Sequence, residues 1–193
     1  MKSILVYCGA NSGTSPIYKQ TAIDLGKIMA ERNIRLVYGG GSVGLMGTIA
    51  DAVLENGGDV VGIIPHFLDK MEVGHKNLPE IHKVDTMHQR KAMMEQMCDG
   101  IITLPGGYGS MDELFEILSW SQLGLHQKPI GLLNVNGFYD YLLLQLDKMV
   151  TEGFLKQPNR DLLIVSDNIE DLLLKMENFK PSHHTKWMTI EQV

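Results

Sequence analysis

The sequence predicts an α/β protein: a doubly wound, mainly parallel sheet of Rossmann-like type, folded as a single domain. Short apolar runs rich in Val, Ile and Leu alternate with helical patterns almost from end to end. Strands that are continuously apolar, with helices between them, belong to a sheet covered on both faces. Three of the loops that follow strands, CGANSGTSP, YGGGSVGLMG and LPGGYGS, are rich in Gly and Ser. In a doubly wound sheet all three fall at the carboxyl edge, where ligands bind.

The elements follow in order. Residues 3–8 (SILVYC) form a first strand, and Ser15-Pro16 places an N-cap and a first-turn proline at the head of a helix running to about Arg32. Residues 34–38 (IRLVY) form a second strand that ends in Gly39-Gly40-Gly41, with a helix over residues 46–55 closed by Asn56-Gly57-Gly58. A third strand, residues 60–64, is stopped by Pro65. Residues 66–86 are the least regular part, with one short strand at 81–84. A helix over 87–97, a strand over 100–104 and a helix over 110–123 come next. The chain then alternates strand 129–133, helix 138–152, strand 162–165 and helix 169–176. Residues 1–179 read as one domain, and residues 180–193, which lack periodicity, as a surface arm carrying a solvated His183-His184.

Composition narrows the function classes. The chain has 193 residues, 44% of them hydrophobic and 21% charged, enough for a sizeable core. Net charge is −6 with no Lys/Arg stripe, which argues against long nucleic acid as a partner. A small phosphorylated ligand stays open, because a helix start can hold one phosphate without net basicity. The two cysteines, Cys8 and Cys98, have neither metal nor redox spacing and suit a reducing, cytoplasmic setting. No stretch approaches membrane-spanning length, and the seven histidines show no ligand spacing, so neither a membrane nor a metal site is expected.

The glycine loop at residues 39–44 formally matches GxGxxG. It follows the second strand, and Asp59, the acid at about the right distance, stands at the start of the next strand, on the wrong edge for a ribose. Gly40 and Gly41 are better read as a phosphate or ribose contact, or as packing glycines. No GK[ST] follows either glycine run, which excludes a P-loop as read. In LPGGYGSMDELFE the amides of Gly106, Gly107, Tyr108 and Gly109 with the Ser110 hydroxyl suit a phosphate. Equally, Ser110 can be the N-cap and Glu113 its capping-box partner. Met111, Leu114, Phe115 and Leu118 form the core stripe of that helix, which leaves Asp112, Glu113 and Glu116 off it, near the loop mouth. In MHQRKAMMEQM, Arg90 shares a stripe with Met93, Met94 and Met97, either as a stem with its head in water or as a functional guanidinium in a cleft. Lys91 stands i, i+4 from Glu95, the spacing of a surface pair.

MHQRK (residues 87–91) followed by PGGYGSMDE (residues 105–113) resembles the paired signature of the LOG ("Lonely guy") family of cytokinin riboside 5′-monophosphate phosphoribohydrolases, often mislabelled lysine decarboxylases. The likeness continues through YGGGSVGLMG, GIIP, SWSQLGLHQKPIGLLNVNGFYD and EGF, over about 165 of the 193 residues. It implies a hydrolase that splits the N-glycosidic bond of a nucleoside 5′-monophosphate into free base and ribose 5-phosphate, without cofactor or metal, as a homodimer. It implies Arg90 and Glu113 as catalytic residues. Substrate contacts would come from Lys91, from Gly107, Tyr108, Gly109, Ser110, Met111 and Asp112, and from Glu72. The family motif has Thr where this chain has Ser110. The rival readings are a non-enzymatic module resembling molybdenum-cofactor carriers, an NAD(P)-dependent oxidoreductase, and a hydrolase of broader purine-nucleotide range. A carrier needs the glycine loops but not Arg90 with Glu113.

Overall fold

A computed structural model describes residues 1–70 and 74–180. Among these the chain forms strands β1 (Ser3–Tyr7), β2 (Arg35–Tyr38), β3 (Val60–Pro65), β4 (Glu80–Val84), β5 (Gly100–Thr103), β6 (Ile130–Leu133) and β7 (Leu163–Ser166). The helices are α1 (Pro16–Glu31), α2 (Gly44–Glu55), α3 (His66–Lys70), α4 (Met87–Gln96), α5 (Tyr108–Gln122), α6 (Asp140–Thr151), α7 (Gln157–Arg160) and α8 (Ile169–Glu177). Glu72 lies outside the described residues, as does His183-His184 in the expected arm.

The strands make one seven-stranded sheet in the order β4-β3-β2-β1-β5-β6-β7, every pair parallel. The winding direction reverses between β1 and β5, where Tyr7 stands beside Thr103. Alternation along each strand sends side chains to two cores. On one face Ile4, Val6, Leu36 and Ile102 pack under α1, α2 and α8, and on the other Leu5, Val37, Ile63 and Ile101 pack under α4, α5 and α6. The expected doubly wound architecture is therefore the one the chain adopts. The outer strand β4 is polar, with Glu80 holding Arg35 and His82, as suits an edge facing water.

Several boundaries differ from expectation for local reasons. Pro65 does not stop β3 but ends it, paired with Val84, a position that needs no further ladder N–H. The helix expected from residue 138 begins at Asp140, because Asn136 and Gly137 turn left-handed (φ 52° and 68°) and Asn134 accepts from the Tyr139 amide. The short helices α3 and α7 carry too few residues for a period to be read from the sequence. The largest consequence comes from α5, which starts at Tyr108 with Gly107 as N-cap and no side-chain cap. Ser110 is thus the third residue of the helix, and the expected Ser110–Glu113 capping box does not form.

Candidate functional site

The switch between β1 and β5 opens a cavity of about 590 Å³ at the carboxyl edge of the sheet. The loops after β1, β2 and β5 meet there and are tied together by backbone bonds. Gly9 N donates to the Pro105 carbonyl (3.0 Å), and Leu45 N, at the start of α2, donates to the Gly9 carbonyl (3.0 Å). Tyr139 Oη donates to the Leu104 carbonyl (2.7 Å), holding the β5 loop from its other side. The three Gly/Ser loops singled out in the sequence therefore share one site.

One wall is the start of α5. A helix leaves its first amides without internal partners, and with Gly107 as N-cap no side chain fills that role. Residues 106–110 line the cavity, Tyr108 is 97% exposed and Ser110 is buried. The Ser110 side chain packs onto Gly106, where any Cβ would stand 2.1 Å from Ser110 Oγ, so only glycine fits. The partial positive end of α5 is thus open to an anion.

Another part of the lining is Arg90. A capping box fixes the start of α4: Gln89 N donates to Thr86 Oγ1 (3.1 Å) and Thr86 N donates to Gln89 Oε1 (3.2 Å). One residue on, Arg90 is 7% exposed and reaches across the carboxyl ends of β3 and β2. Its Nε donates to the Ile63 carbonyl (3.1 Å) and its Nη2 to the Gly39 carbonyl (2.8 Å). A side chain at position 39 would collide with this guanidinium, its Cβ falling 1.9 Å from Nη2. Of the two readings of Arg90, the structure shows the guanidinium in the cleft rather than a head in water. Burial lowers its pKa, opposed by the nearby Glu113 and Tyr7.

Glu113 lies one turn into α5, half-buried and lining the same cavity. Burial raises its pKa to about 7, against the pull of Arg90 and Lys91, while Asp112 and Glu116 push it further up. A carboxyl poised near neutrality in a cleft is a feature of functional sites. Cys8 also lines the cavity, but burial pushes its thiol far up, so it is no ready nucleophile.

Of the residues expected at the site, Arg90, Glu113, Gly41 and residues 106–110 line the cavity, whereas Gly40, Lys91, Met111 and Asp112 do not. Gly40 instead accepts from the His75 amide (2.9 Å). Lys91 is not a surface partner of Glu95: it is 8% exposed and bonds Asp112 (2.7 Å) and Glu116 (3.2 Å) across the α4–α5 contact. Glu95 pairs with Lys128 (2.6 Å). Sequence reasoning missed the apolar lining, Val43, Met46, Ile64 and Leu68, and the aromatic pair Tyr18–Phe138 (5.8 Å). Among the described residues no cluster of three or more His, Cys, Asp or Glu is placed to hold a metal.

Fold and site define a class: a doubly wound α/β protein whose switch-point cleft joins uncapped helix amides to a buried arginine and a protonatable carboxyl. Residues 46–176 match the family described as "possible lysine decarboxylase". The chain is 49% identical over 182 residues to the cytokinin riboside 5′-monophosphate phosphoribohydrolase LOG2 of Arabidopsis thaliana, covering 94% of this chain and 85% of that protein. It is 47% identical over 180 residues to LOG7 of the same plant, covering 93% and 83%. It belongs to this LOG phosphoribohydrolase family. Among solved structures, the molybdenum cofactor binding protein of Rippkaea orientalis shares the fold, with TM-score 0.69 at 19% identity over 92% of this chain and 96% of that one.

Proposed function

We propose that the protein hydrolyses the N-glycosidic bond of an adenosine 5′-monophosphate, N6-modified as in the cytokinin nucleotides, to free base and ribose 5-phosphate. The observation that carries this is the placement of Glu113 one turn beyond the open amides of α5, in one cavity with Arg90. The family's curated members act on such nucleotides by name.

The chemistry follows from the two electrostatic ends of the substrate. Its 5′-phosphate suits the amides of residues 106–110 and the Ser110 hydroxyl, which turn phosphate binding into positioning of the sugar. As the C1′–N bond breaks, positive charge develops at C1′ and the ring oxygen. The ionised Glu113 carboxylate stabilises it, and can hold the ribose hydroxyls or take a proton from the attacking water. Water supplies hydroxide to C1′ and a proton to the leaving base. Arg90, locked by two carbonyls, keeps a fixed positive charge beside Glu113 and favours its ionised form.

Lysine decarboxylation needs a Schiff-base lysine for pyridoxal phosphate, and among the described residues no lysine lines the cavity. These residues do not fit that cofactor.

The assay is chromatographic release of base from AMP, isopentenyl-AMP, GMP and CMP without added metal. Turnover of the adenine nucleotides is expected, with losses of about 100-fold or more in Glu113→Gln and Arg90→Ala proteins that remain folded. Wild-type rates in either variant would remove that residue from the mechanism. The same reading takes the protein to be a cytoplasmic homodimer. Two free, buried cysteines are consistent with a reducing compartment.

A further inference from the structure

We propose that Lys91 is a positioning residue for Glu113: its ammonium clamps α4 to α5 through Asp112 and Glu116 and shields Glu113 from those two carboxylates. The inference rests on the reading of Glu113 as the carboxylate that meets the developing charge.

The geometry comes first. Asp112, Glu113 and Glu116 place three carboxyls within little more than one turn of α5, and like charges so close oppose one another's ionisation. Lys91 Nζ lies 2.7 Å from Asp112 Oδ2 and 3.2 Å from Glu116 Oε2, the pair one turn apart on the face next to Glu113. Lys91 is buried yet takes no part in lining the cavity, so its charge is turned toward α5 rather than toward a ligand. Its nearest sequence partner, Glu95, is occupied by Lys128, which leaves Lys91 to the α5 acids. Arg90 and Lys91, adjacent on α4, therefore divide the work. Arg90 faces the cavity and Lys91 the supporting side of the same carboxyl.

The groups that face Glu113 are Arg90 and Lys91 from α4, Asp112 and Glu116 from α5, and Tyr7 and Cys8 from β1. Of these, only Arg90 and Lys91 favour its carboxylate. Burial and the neighbouring acids hold the carboxyl near neutrality, so a small further rise would leave it protonated at working pH. Without the Lys91 charge its ionisation moves to higher pH, by about one unit.

The test follows Glu113 directly by carboxyl ¹³C NMR on protein labelled at glutamate, its resonance assigned by loss in Glu113→Gln. The pH profile of kcat is measured alongside. Lys91→Met is expected to move both the Glu113 titration and the acid limb of kcat upward by about one unit. Ribose 5-phosphate affinity should change less than twofold. Lys91→Arg should restore both. The substrate phosphate titrates identically in every variant and cancels in the comparison. If Lys91→Met does not fold, Lys91→Gln serves instead, because it removes the charge while keeping a donor for Asp112 and Glu116. An unmoved titration in the folded variant overturns the proposal. So does a loss confined to KM and ribose 5-phosphate binding, which would make Lys91 a substrate contact. A Glu113 titration that shifts in a protein that turns over no nucleotide sustains the clamp and removes the proposed function; normal turnover with no shift does the reverse.

Discussion

The raised pKa of Glu113 ties the stability of the fold to the ionisation of one side chain. Its folded pKa of about 7 lies above the ordinary 4.5, so the contribution it makes to stability is full below pH 4.5 and is lost as pH rises through 7. Glu113→Gln removes the charge that must otherwise be buried. We expect it to raise stability at pH 8 by roughly 1–3 kcal/mol, allowing for partial exposure, and to change little at pH 4. Thermal melts of both proteins at the two pH values check this, and equal melting temperatures at pH 8 would contradict it. Spacing left Glu113 open between helix cap and catalyst, and Arg90 open between snorkelling and cleft. The start of α5 at Gly107 removes the capping-box reading of Glu113, and the carbonyls of Gly39 and Ile63, distant in sequence, hold the Arg90 guanidinium in the cleft.

At the scale of elements, α4 and α5 differ in how they begin. The start of α4 is closed by the Thr86–Gln89 box, a signature present in the sequence as T-M-H-Q. Thr86→Ala should cost about 1 kcal/mol in chemical denaturation. The start of α5 is left open, which suits it to a phosphate. Of the glycines at the mouth of β2, Gly39 serves α4, its carbonyl accepting from Arg90. Gly39→Ala would drive a methyl into the Arg90 guanidinium, and we expect at least tenfold lower kcat with a stability loss of about 1–3 kcal/mol. A Gly39→Ala protein with unchanged kcat would show that the position of Arg90 is not critical.

For the whole molecule, the order β4-β3-β2-β1-β5-β6-β7 puts the β1 and β5 loops side by side and brings the β2 loop next to them. Product should bind this cleft even when turnover is blocked. Ribose 5-phosphate at about 100 times its Kd should stabilise Glu113→Gln by about 2.7 kcal/mol, read as a rise in melting temperature. No rise would mean that the cleft does not take a sugar phosphate. The expected homodimer is checked by light scattering on the eluting protein, where the mass of a single chain would refute it.

The strands, most helices and the shared edge of the three glycine loops were legible in the sequence, because apolar runs and their periodicity record which faces are buried. The residue types of the site, an arginine among methionines and a glutamate after a glycine turn, were legible too, and the family resemblance gave them their expected roles. Tertiary structure alone decided that Ser110 sits inside its helix and not at its cap, and that Lys91 bonds Asp112 and Glu116 rather than Glu95. It also brought the guanidinium of Arg90 onto the carbonyls of Ile63 in β3 and of Gly39 just beyond β2. The reason is physical: hydrophobic pattern is written locally along each element, whereas the partner of a buried charge is chosen by packing between elements far apart in the chain.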